Sequence, residues 1–516
     1  MFGIPGARDE GRSTPPAVIL GLLVGAFIML QCFLPLGTAI RIGVDEDFEL
    51  SKATLCRHGY KLYTQIWSDQ PPLYVSLLAG IQQHVSPGIL GPRLLTSALT
   101  LLLLSSFFVL VLRASGLLAA SLATGLLIAS PGFLELSSSA MQELPALAPA
   151  VAALCVLLGP HGQSRVAELL GGALFAVALQ MKLTGLVYLP LAVLILWLRS
   201  GEAAGVVRSG AARLRQPRSG SQARGALSRW QPAATGLAVF AAALALGFVA
   251  LNWLTGNPLL IQLQQAWGAH FAGAKSFEYG SPAEHAFDWS VLLKNWDATL
   301  PALVGVAFLL RSIRQVRVAT LPVAWLALTL VVFGTHKPWW AYYYVHNALP
   351  LCWCAGVGIG LALRRLSARR SSGLAVLLGL YALCALAWMG ARLYLQESGI
   401  RQAPKLYSCL VLKEIERFKP FTTFIYSDQP IYSFHSGIPV PPRLAILSLK
   451  RFWTGDLTTA RLVAELESVK PGLMLLANDS REVPFQALLN REYQLVYQEE
   501  AIRLYAHRGI AKKARY

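Results

Sequence analysis

Long apolar runs separated by short polar segments dominate this chain of 516 residues. The runs are continuous in Leu, Ala and Val rather than alternating, which favours membrane-spanning helices over a transmembrane sheet barrel. The pattern therefore predicts a mainly α-helical, polytopic membrane protein with about eleven transmembrane helices. The expected spans are 17–37, 92–112, 117–130, 144–158, 167–181, 185–199, 233–254, 297–311, 318–334, 342–363 and 373–393.

The composition agrees with this class of protein. Apolar residues make up 55% of the chain and charged residues 14%, and the mean hydropathy is +0.49, which excludes an ordinary soluble globular protein. A formal charge of +18 would suggest a nucleic-acid partner for a soluble protein. Here the arginines gather between the apolar runs, where membrane topology explains them, so we expect membrane lipids as partners and no nucleic acid.

Basic residues also set the predicted orientation, because cytoplasmic connections are enriched in Arg and Lys. With a cytoplasmic N-terminal tail over 1–16, every strongly basic connection falls on one side, including the Arg-rich loop 199–230. The same alternation places the first loop, 38–91, and the C-terminal segment, 395–516, on the extracytoplasmic side. The membrane domain then extends over 17–394.

The C-terminal segment has the composition of a small soluble domain. Buried strands are expected at 421–426 and 472–477, one or two further strands at 493–505, and a capped helix at 458–470. This pattern predicts an α/β domain, and no glycine motif for nucleotide binding occurs in it. The seven cysteines of the chain lie mostly in apolar runs, so buried thiols are expected rather than disulfides or a zinc site.

Acidic residues cluster in the first external loop. Asp45, Glu46, Asp47 and Glu49 are four of only 27 acidic residues in the chain. Acids beside a membrane are costly unless they have a function, and a carboxylate there can accept the proton of an acceptor during sugar transfer. Asp45 and Glu46 are the candidate catalytic residues. The alternative is that these acids only hydrate the loop or cap the following helix.

Four basic side chains are predicted at the same outer side. Lys182, Arg93, His336 and Lys337 stand at the expected ends of spans. A phosphate leaving group needs positive charge where its own charge develops, so these residues are candidates for binding a donor phosphate. The alternative for each is that a long basic side chain reaches from the helix to the interface.

Several short motifs of the chain resemble those of one enzyme superfamily. They are Gly43-Val-Asp45-Glu46, Gly59-Tyr60, Asp69-Gln-Pro71-Pro72-Leu73-Tyr74, Pro92-Arg93, Leu179-Gln-Met-Lys182-Leu-Thr-Gly185 and the stretch from His336 to Pro350. As a set, over roughly residues 15–395, they resemble the GT-C glycosyltransferases. The similarity is greatest to the branch of protein O-mannosyltransferases and lipid A aminoarabinose transferases.

This resemblance implies a helical bundle of the GT-C type, a polyprenyl-phosphate-linked sugar donor and inversion at the sugar carbon. It implies that Asp45 is the catalytic carboxylate, acting as the base, with Glu46 beside it, and that no metal or other cofactor is needed. Lys182, Arg93 and Lys337 would serve the donor phosphate. Asp69, Tyr74 and Tyr344, which lie in the shared motifs, are candidate contacts of the sugar or the acceptor.

The sequence thus predicts a glycosyltransferase of the plasma (cell inner) membrane with its active site on the extracytoplasmic face. The acceptor is left open among a glycolipid, a polysaccharide and a protein. A flippase or transporter for lipid-linked sugars is the alternative function, and it would need ionisable residues at mid-membrane and an internal repeat. A catalytically inactive scaffold is a further alternative.

Overall fold

The computed structural model describes residues 15–85, 88–159, 164–199, 222–268, 273–369, 372–402, 407–477 and 483–513. The predicted N-terminal tail 1–16 lies almost wholly outside the described residues. The greater part of the Arg-rich loop 199–230 also lies outside them.

Helices make up the first part of the described chain. Ser164 caps one of them, since its hydroxyl accepts a hydrogen bond from the backbone N–H of Ala167 at 3.3 Å. The helices are α1 (Pro16–Cys32), α2 (Glu46–Arg57), α3 (Leu73–His84), α4 (Leu90–Ser115), α5 (Leu117–Ile128), α6 (Phe133–Ser138), α7 (Glu143–Leu157), α8 (Arg165–Met181) and α9 (Leu183–Arg199).

The helices continue up to the C-terminal domain. Close packing joins α13 and α15, because a methyl group at Gly305 would lie 1.9 Å from the carbonyl oxygen of Cys354 and one at Gly358 would lie 2.0 Å from that of Pro301. The helices are α10 (Gln222–Leu254), α11 (Leu259–Gln262), α12 (Ser290–Lys294), α13 (Trp296–Ser312), α14 (Thr320–Thr335), α15 (Tyr344–Arg369) and α16 (Ser372–Gln402).

A helix occurs at each of the eleven predicted spans, and the length and apolar character of these helices indicate an integral membrane protein. Several of them are near 15 residues and are short for a hydrocarbon layer of about 30 Å. The count of eleven spans therefore stays a prediction. Within the described residues, five helical ranges are long and apolar enough to cross a bilayer, namely Leu90–Ser115, Ala234–Leu254, Arg317–Thr335, Ala341–Ser367 and Ala375–Gln402.

A four-stranded sheet forms the centre of the C-terminal domain, with strand order β1-β2-β4-β3. The pair β1–β2 is parallel and the other two pairs are antiparallel. The elements are β1 (Ile425–Ser427), β2 (Leu473–Leu476), β3 (Tyr493–Glu499) and β4 (Ile502–His507), with helices α17 (Cys409–Phe418), α18 (Ile431–Ser436), α19 (Leu449–Trp453), α20 (Thr459–Val469), α21 (Gln486–Glu492) and α22 (Arg508–Ala511).

The predicted strands and helix of this domain are confirmed, although β1 is shorter than expected. The Thr458 hydroxyl caps α20 by accepting from the N–H of Arg461 at 3.3 Å. The predicted start of the domain at residue 395 falls inside α16, which continues to Gln402. Apolar periodicity cannot separate the end of a span from a helical extension beyond it.

The first loop lies between the membrane helices and the C-terminal domain. One apolar core contains Leu50 and Tyr74 from this loop together with Ile425 and Leu473 from the sheet. The His435 ring is 2.9 Å from the carbonyl oxygen of Ile40. The acidic part of the loop is therefore packed between two parts of the chain and is not a solvated surface.

Candidate active site

A cavity of about 880 Å³ lies where the first loop, the ends of several membrane helices and the C-terminal domain meet. Asp45 lines it and precedes α2 directly. Five further residues or segments that matter below also line it, namely Asp69, Glu143, Lys182, the aromatic connection from His336 to Tyr344, and Lys450. The cavity thus brings together residues that are separated by up to several hundred positions in the sequence.

The environment of Asp45 favours a carboxyl group that holds a proton more tightly than usual. Burial and then the negative charge of Glu143 raise the pKa of Asp45, while the Tyr342 hydroxyl and the Lys182 ammonium group act in the opposite direction. A carboxylate with a raised pKa is a stronger base. Asp45 is therefore suited to accept a proton inside the cavity.

Glu46 has a different environment from its neighbour. Its carboxylate forms two hydrogen bonds of 2.8 Å with the Arg93 guanidinium, and both side chains are 0% exposed. It also accepts from the backbone N–H of Ile42 at 2.8 Å and of Ala140 at 2.9 Å. Burial alone would raise the pKa of Glu46, but Arg93 and these two N–H groups hold it below its usual range.

The remaining Arg93 donors complete this network. Its Nη1 atom donates to the carbonyl oxygens of Leu36 at 2.7 Å and Ala39 at 2.8 Å. Glu46 and Arg93 do not line the cavity. The pair instead fixes the start of the first loop against α4, directly beside Asp45.

Lys182 connects α8 and α9 and faces the cavity. Its ammonium group forms a buried ion pair with Glu143. The Nζ atom also lies 5.3 Å from the ring centroid of Tyr342 and 5.6 Å from that of Tyr343. These contacts keep a positive charge within interaction range of Asp45.

Lys337 and His336 border the cavity from the connection between α14 and α15, and both are exposed. Within the described part of the chain, the Lys337 side chain has no ion-pair or hydrogen-bond partner. Burial, together with the positive charge of Lys450, lowers the pKa of His336. Lys337 is therefore the cation of this group that can most readily accept an anionic ligand.

The three candidate contact residues differ in position. Asp69 lines the cavity, with its carboxylate 3.2 Å from Lys450 Nζ. Tyr344 also borders it, although its hydroxyl is engaged with Asn295 at 2.5 Å. Tyr74 is fully buried, with its hydroxyl 2.8 Å from that of Thr96, and it does not line the cavity.

Several charged or polar residues of the cavity were not among the candidate site residues, and three of them are Glu49, Glu143 and Lys450. Glu49 pairs with Lys52 at 2.8 Å and accepts from Gln142 at 2.5 Å. Glu143 pairs with Lys182, and no local pattern in the sequence indicates this contact. Lys450 lies on α19 of the C-terminal domain. No group of three or more His, Cys, Asp or Glu suited to a metal ion occurs among the described residues.

Comparisons with known proteins agree with the predicted fold. No protein-family model matches the sequence, and the comparison with curated proteins likewise gave no match. The structure resembles that of ArnT from Cupriavidus metallidurans bound to undecaprenyl phosphate, with a TM-score of 0.60 and 15% identity over 94% of this chain and 97% of that one.

Two structures from Archaeoglobus fulgidus are also similar. One is the archaeal oligosaccharyltransferase AglB in complex with an inhibitory peptide and a dolichol-phosphate, with a TM-score of 0.55, 12% identity, and coverage of 95% of this chain and 74% of that one. The other is the oligosaccharyltransferase in the apo form, with a TM-score of 0.56, 12% identity, and coverage of 91% and 70%. The predicted resemblance to the GT-C superfamily is thereby confirmed at the level of the fold.

Proposed function

We propose that this chain is a membrane glycosyltransferase that moves a sugar from a polyprenyl phosphate to an acceptor. The observation that carries the proposal is one cavity, in a fold of the GT-C type, that holds the Asp45 carboxylate together with Lys182 and Lys337. A base and a set of cations are the two groups that transfer from a sugar phosphate requires. The acceptor is a glycolipid, a polysaccharide or a protein.

In the proposed reaction, a hydroxyl or amine of the acceptor attacks the sugar carbon that carries the phosphate. The new bond forms on the face opposite the phosphate, the carbon–oxygen bond to the phosphate breaks, and the configuration inverts. Asp45 accepts the proton of the nucleophile. Its negative charge also stabilises the positive charge that develops on the sugar ring.

The leaving polyprenyl phosphate takes the bonding electrons and needs positive charge around it. Lys337 is suited to this role because it is exposed to the cavity and is not engaged in an ion pair with the described residues. Lys182 is paired with Glu143, so we assign it to balancing the negative charge around Asp45. Lys182 would bind the phosphate only if its ion pair with Glu143 rearranges. We assign Arg93 and Glu46 to the support of the first loop, rather than to phosphate binding or catalysis.

Purified protein in lipid nanodiscs tests the proposal directly. It is given a panel of polyprenyl-phosphate sugars, with membrane extract as the source of acceptors, and the released polyprenyl phosphate is measured by mass spectrometry. Nucleotide sugars in the same assay serve as the control donors. Release from at least one lipid-linked sugar supports the proposal. Absence of release from every lipid donor would favour the flippase or the inactive scaffold.

Replacing Lys337 with Met is expected to lower kcat/KM for the donor by roughly 10–150-fold, because a charge-assisted contact to a phosphate contributes about 1.5–3 kcal/mol. The substitution keeps the apolar stem and removes only the charge. Arg at this position is expected to restore part of the loss. Lys61→Met, which changes an exposed lysine of the first loop outside the cavity, is the matched control. Unchanged kinetics of Lys337→Met would leave only an interfacial role for this residue.

The proposed site lies on the extracytoplasmic face of the plasma (cell inner) membrane, and labelling can test this orientation. Two variants are compared in intact cells, one that retains Cys409 alone and one that carries Ser219→Cys alone. Cys409 is exposed on α17, so a membrane-impermeant thiol reagent is expected to label it. The cysteine at position 219, in the Arg-rich loop, should react only after cell lysis. Labelling of position 219 in intact cells would reverse the proposed orientation.

A further inference from the structure

A segment of the C-terminal domain borders the cavity. This segment, 446–454, includes α19, and both Lys450 and Trp453 line the cavity. Lys450 Nζ lies 3.2 Å from the Asp69 carboxylate on the first loop, and the two side chains are 22% and 21% exposed. The ammonium group thus faces the cavity, is paired with the Asp69 carboxylate and remains partly exposed.

Contacts from both sides fix this segment in place. Arg451 donates to two backbone carbonyls of its own domain at 2.8 and 2.9 Å, and its guanidinium lies 5.2 Å from the ring centroid of Trp67 on the first loop. On the other side, the backbone N–H groups of Lys275 and Ser276 donate to the carbonyl oxygen of Trp453 at 2.6 and 3.0 Å. Lys450 therefore projects from a rigid backbone, which suits a binding residue.

Positive charge converges on this side of the cavity from two distant parts of the chain. Lys337 comes from the connection between α14 and α15, whereas Lys450 comes from the sheet domain. Burial lowers the pKa of Lys450, Asp69 opposes this effect and the charge of Lys182 adds to it. Cations gathered in a partly buried site repel one another, and a bound anion would offset that repulsion.

We propose that Lys450, together with Lys337, binds a phosphate-type anion of the substrate, so that the C-terminal domain completes the substrate site. The inference rests on the proposed function, since it places this anion in the same cavity. Asp69 holds the ammonium group before the substrate arrives, and the anion then shares or replaces that carboxylate. The alternative is that the Lys450–Asp69 pair only joins the two parts of the chain.

Binding measurements that require no turnover test this inference. The full chain in nanodiscs is titrated with undecaprenyl phosphate and, separately, with inorganic phosphate. Lys450→Met is compared with Lys413→Met, which changes an exposed lysine of α17 that does not line the cavity. We expect Lys450→Met to weaken binding of at least one probe by roughly tenfold, and Lys413→Met to behave like the wild type.

The two probes distinguish the source of the anion. Weaker binding of undecaprenyl phosphate assigns the anion to the lipid donor. A loss confined to inorganic phosphate assigns it to a second anionic group, such as a phosphate on the acceptor. A change of less than about twofold for both probes overturns the inference.

The same titrations separate failure of this inference from failure of the proposed function. If the wild type binds undecaprenyl phosphate and Lys450→Met binds both probes equally well, the inference fails while the proposed function stands. If the wild type does not bind this lipid, the proposed function itself fails.

Asp69→Asn separates an anion site from a simple connection between domains. The amide no longer competes for Lys450, so binding of undecaprenyl phosphate should stay the same or become tighter. Because this lipid carries no sugar, a contact between Asp69 and a sugar does not enter the measurement. Equal losses of binding in Asp69→Asn and Lys450→Met, with equal increases in proteolysis of the C-terminal domain, would show that the pair only joins the domains.

Discussion

Replacing Asp45 with Asn is expected to slow sugar transfer by roughly 10²–10⁴-fold, the usual contribution of a positioned general base. Asn has almost the same shape as Asp but cannot take the proton of the acceptor. Burial and the charge of Glu143 raise the pKa of Asp45, so its ionised form is not favoured by the fold. A neutral amide should therefore leave the melting temperature unchanged. Turnover at saturating donor measures the effect.

Asp288→Asn is the matched control for this variant. Asp288 also borders the cavity, but it is exposed and pairs with Lys294 at 3.5 Å, so turnover of this control should stay near that of the wild type.

The pH profile of the wild type gives a second readout for Asp45. Because the pKa of Asp45 is raised, kcat/KM should increase with pH through a value above the ordinary range of Asp, about 3.9. Near-normal turnover of a folded Asp45→Asn protein would place the base elsewhere, with Glu143 or Glu49 as the next candidates.

The helical architecture could be predicted because a membrane helix depends on a local property of the sequence. A continuous apolar run such as 92–112 has to satisfy its backbone hydrogen bonds within the segment, so the run itself indicates a helix. Where a helix continues beyond the apolar run, this signal ends. For that reason the extension of α16 to Gln402 was not predicted, and the short apolar helices do not settle the number of crossings.

The site could be predicted only in part, because its contacts depend on tertiary packing. Asp45 and Glu46 are neighbours of the same chemical type, and no local pattern shows which one faces the cavity. The structure separates them, since Glu46 points to Arg93, 47 residues away. Lys450 and Asp69 are 381 residues apart, and nothing in a single sequence links two such positions.

Replacing Glu46 with Gln is expected to lower the free energy of unfolding by about 3–5 kcal/mol, because removal of one partner leaves the Arg93 charge buried and uncompensated. The pKa of Glu46 is held below its usual range. The ion pair is therefore complete above the unfolded-state pKa of about 4.3, and its contribution is lost as the pH falls through the lower folded-state pKa. Unfolding of the purified protein in mixed micelles at neutral pH measures the difference.

Glu414→Gln provides the matched control, because Glu414 pairs with Arg417 on the exposed surface of α17 and such pairs contribute at most about 1 kcal/mol. The double variant Glu46→Met/Arg93→Met removes both charges but leaves the backbone groups of Ile42 and Ala140 without the Glu46 carboxylate. It should therefore regain only part of the stability that Glu46→Gln loses, since unpaired buried N–H groups remain.

The two roles of Glu46 predict opposite results for Glu46→Gln. A structural residue loses stability first and activity as a consequence, whereas a base loses turnover in a protein as stable as the wild type. A stable, inactive Glu46→Gln protein would thus return the catalytic role to Glu46.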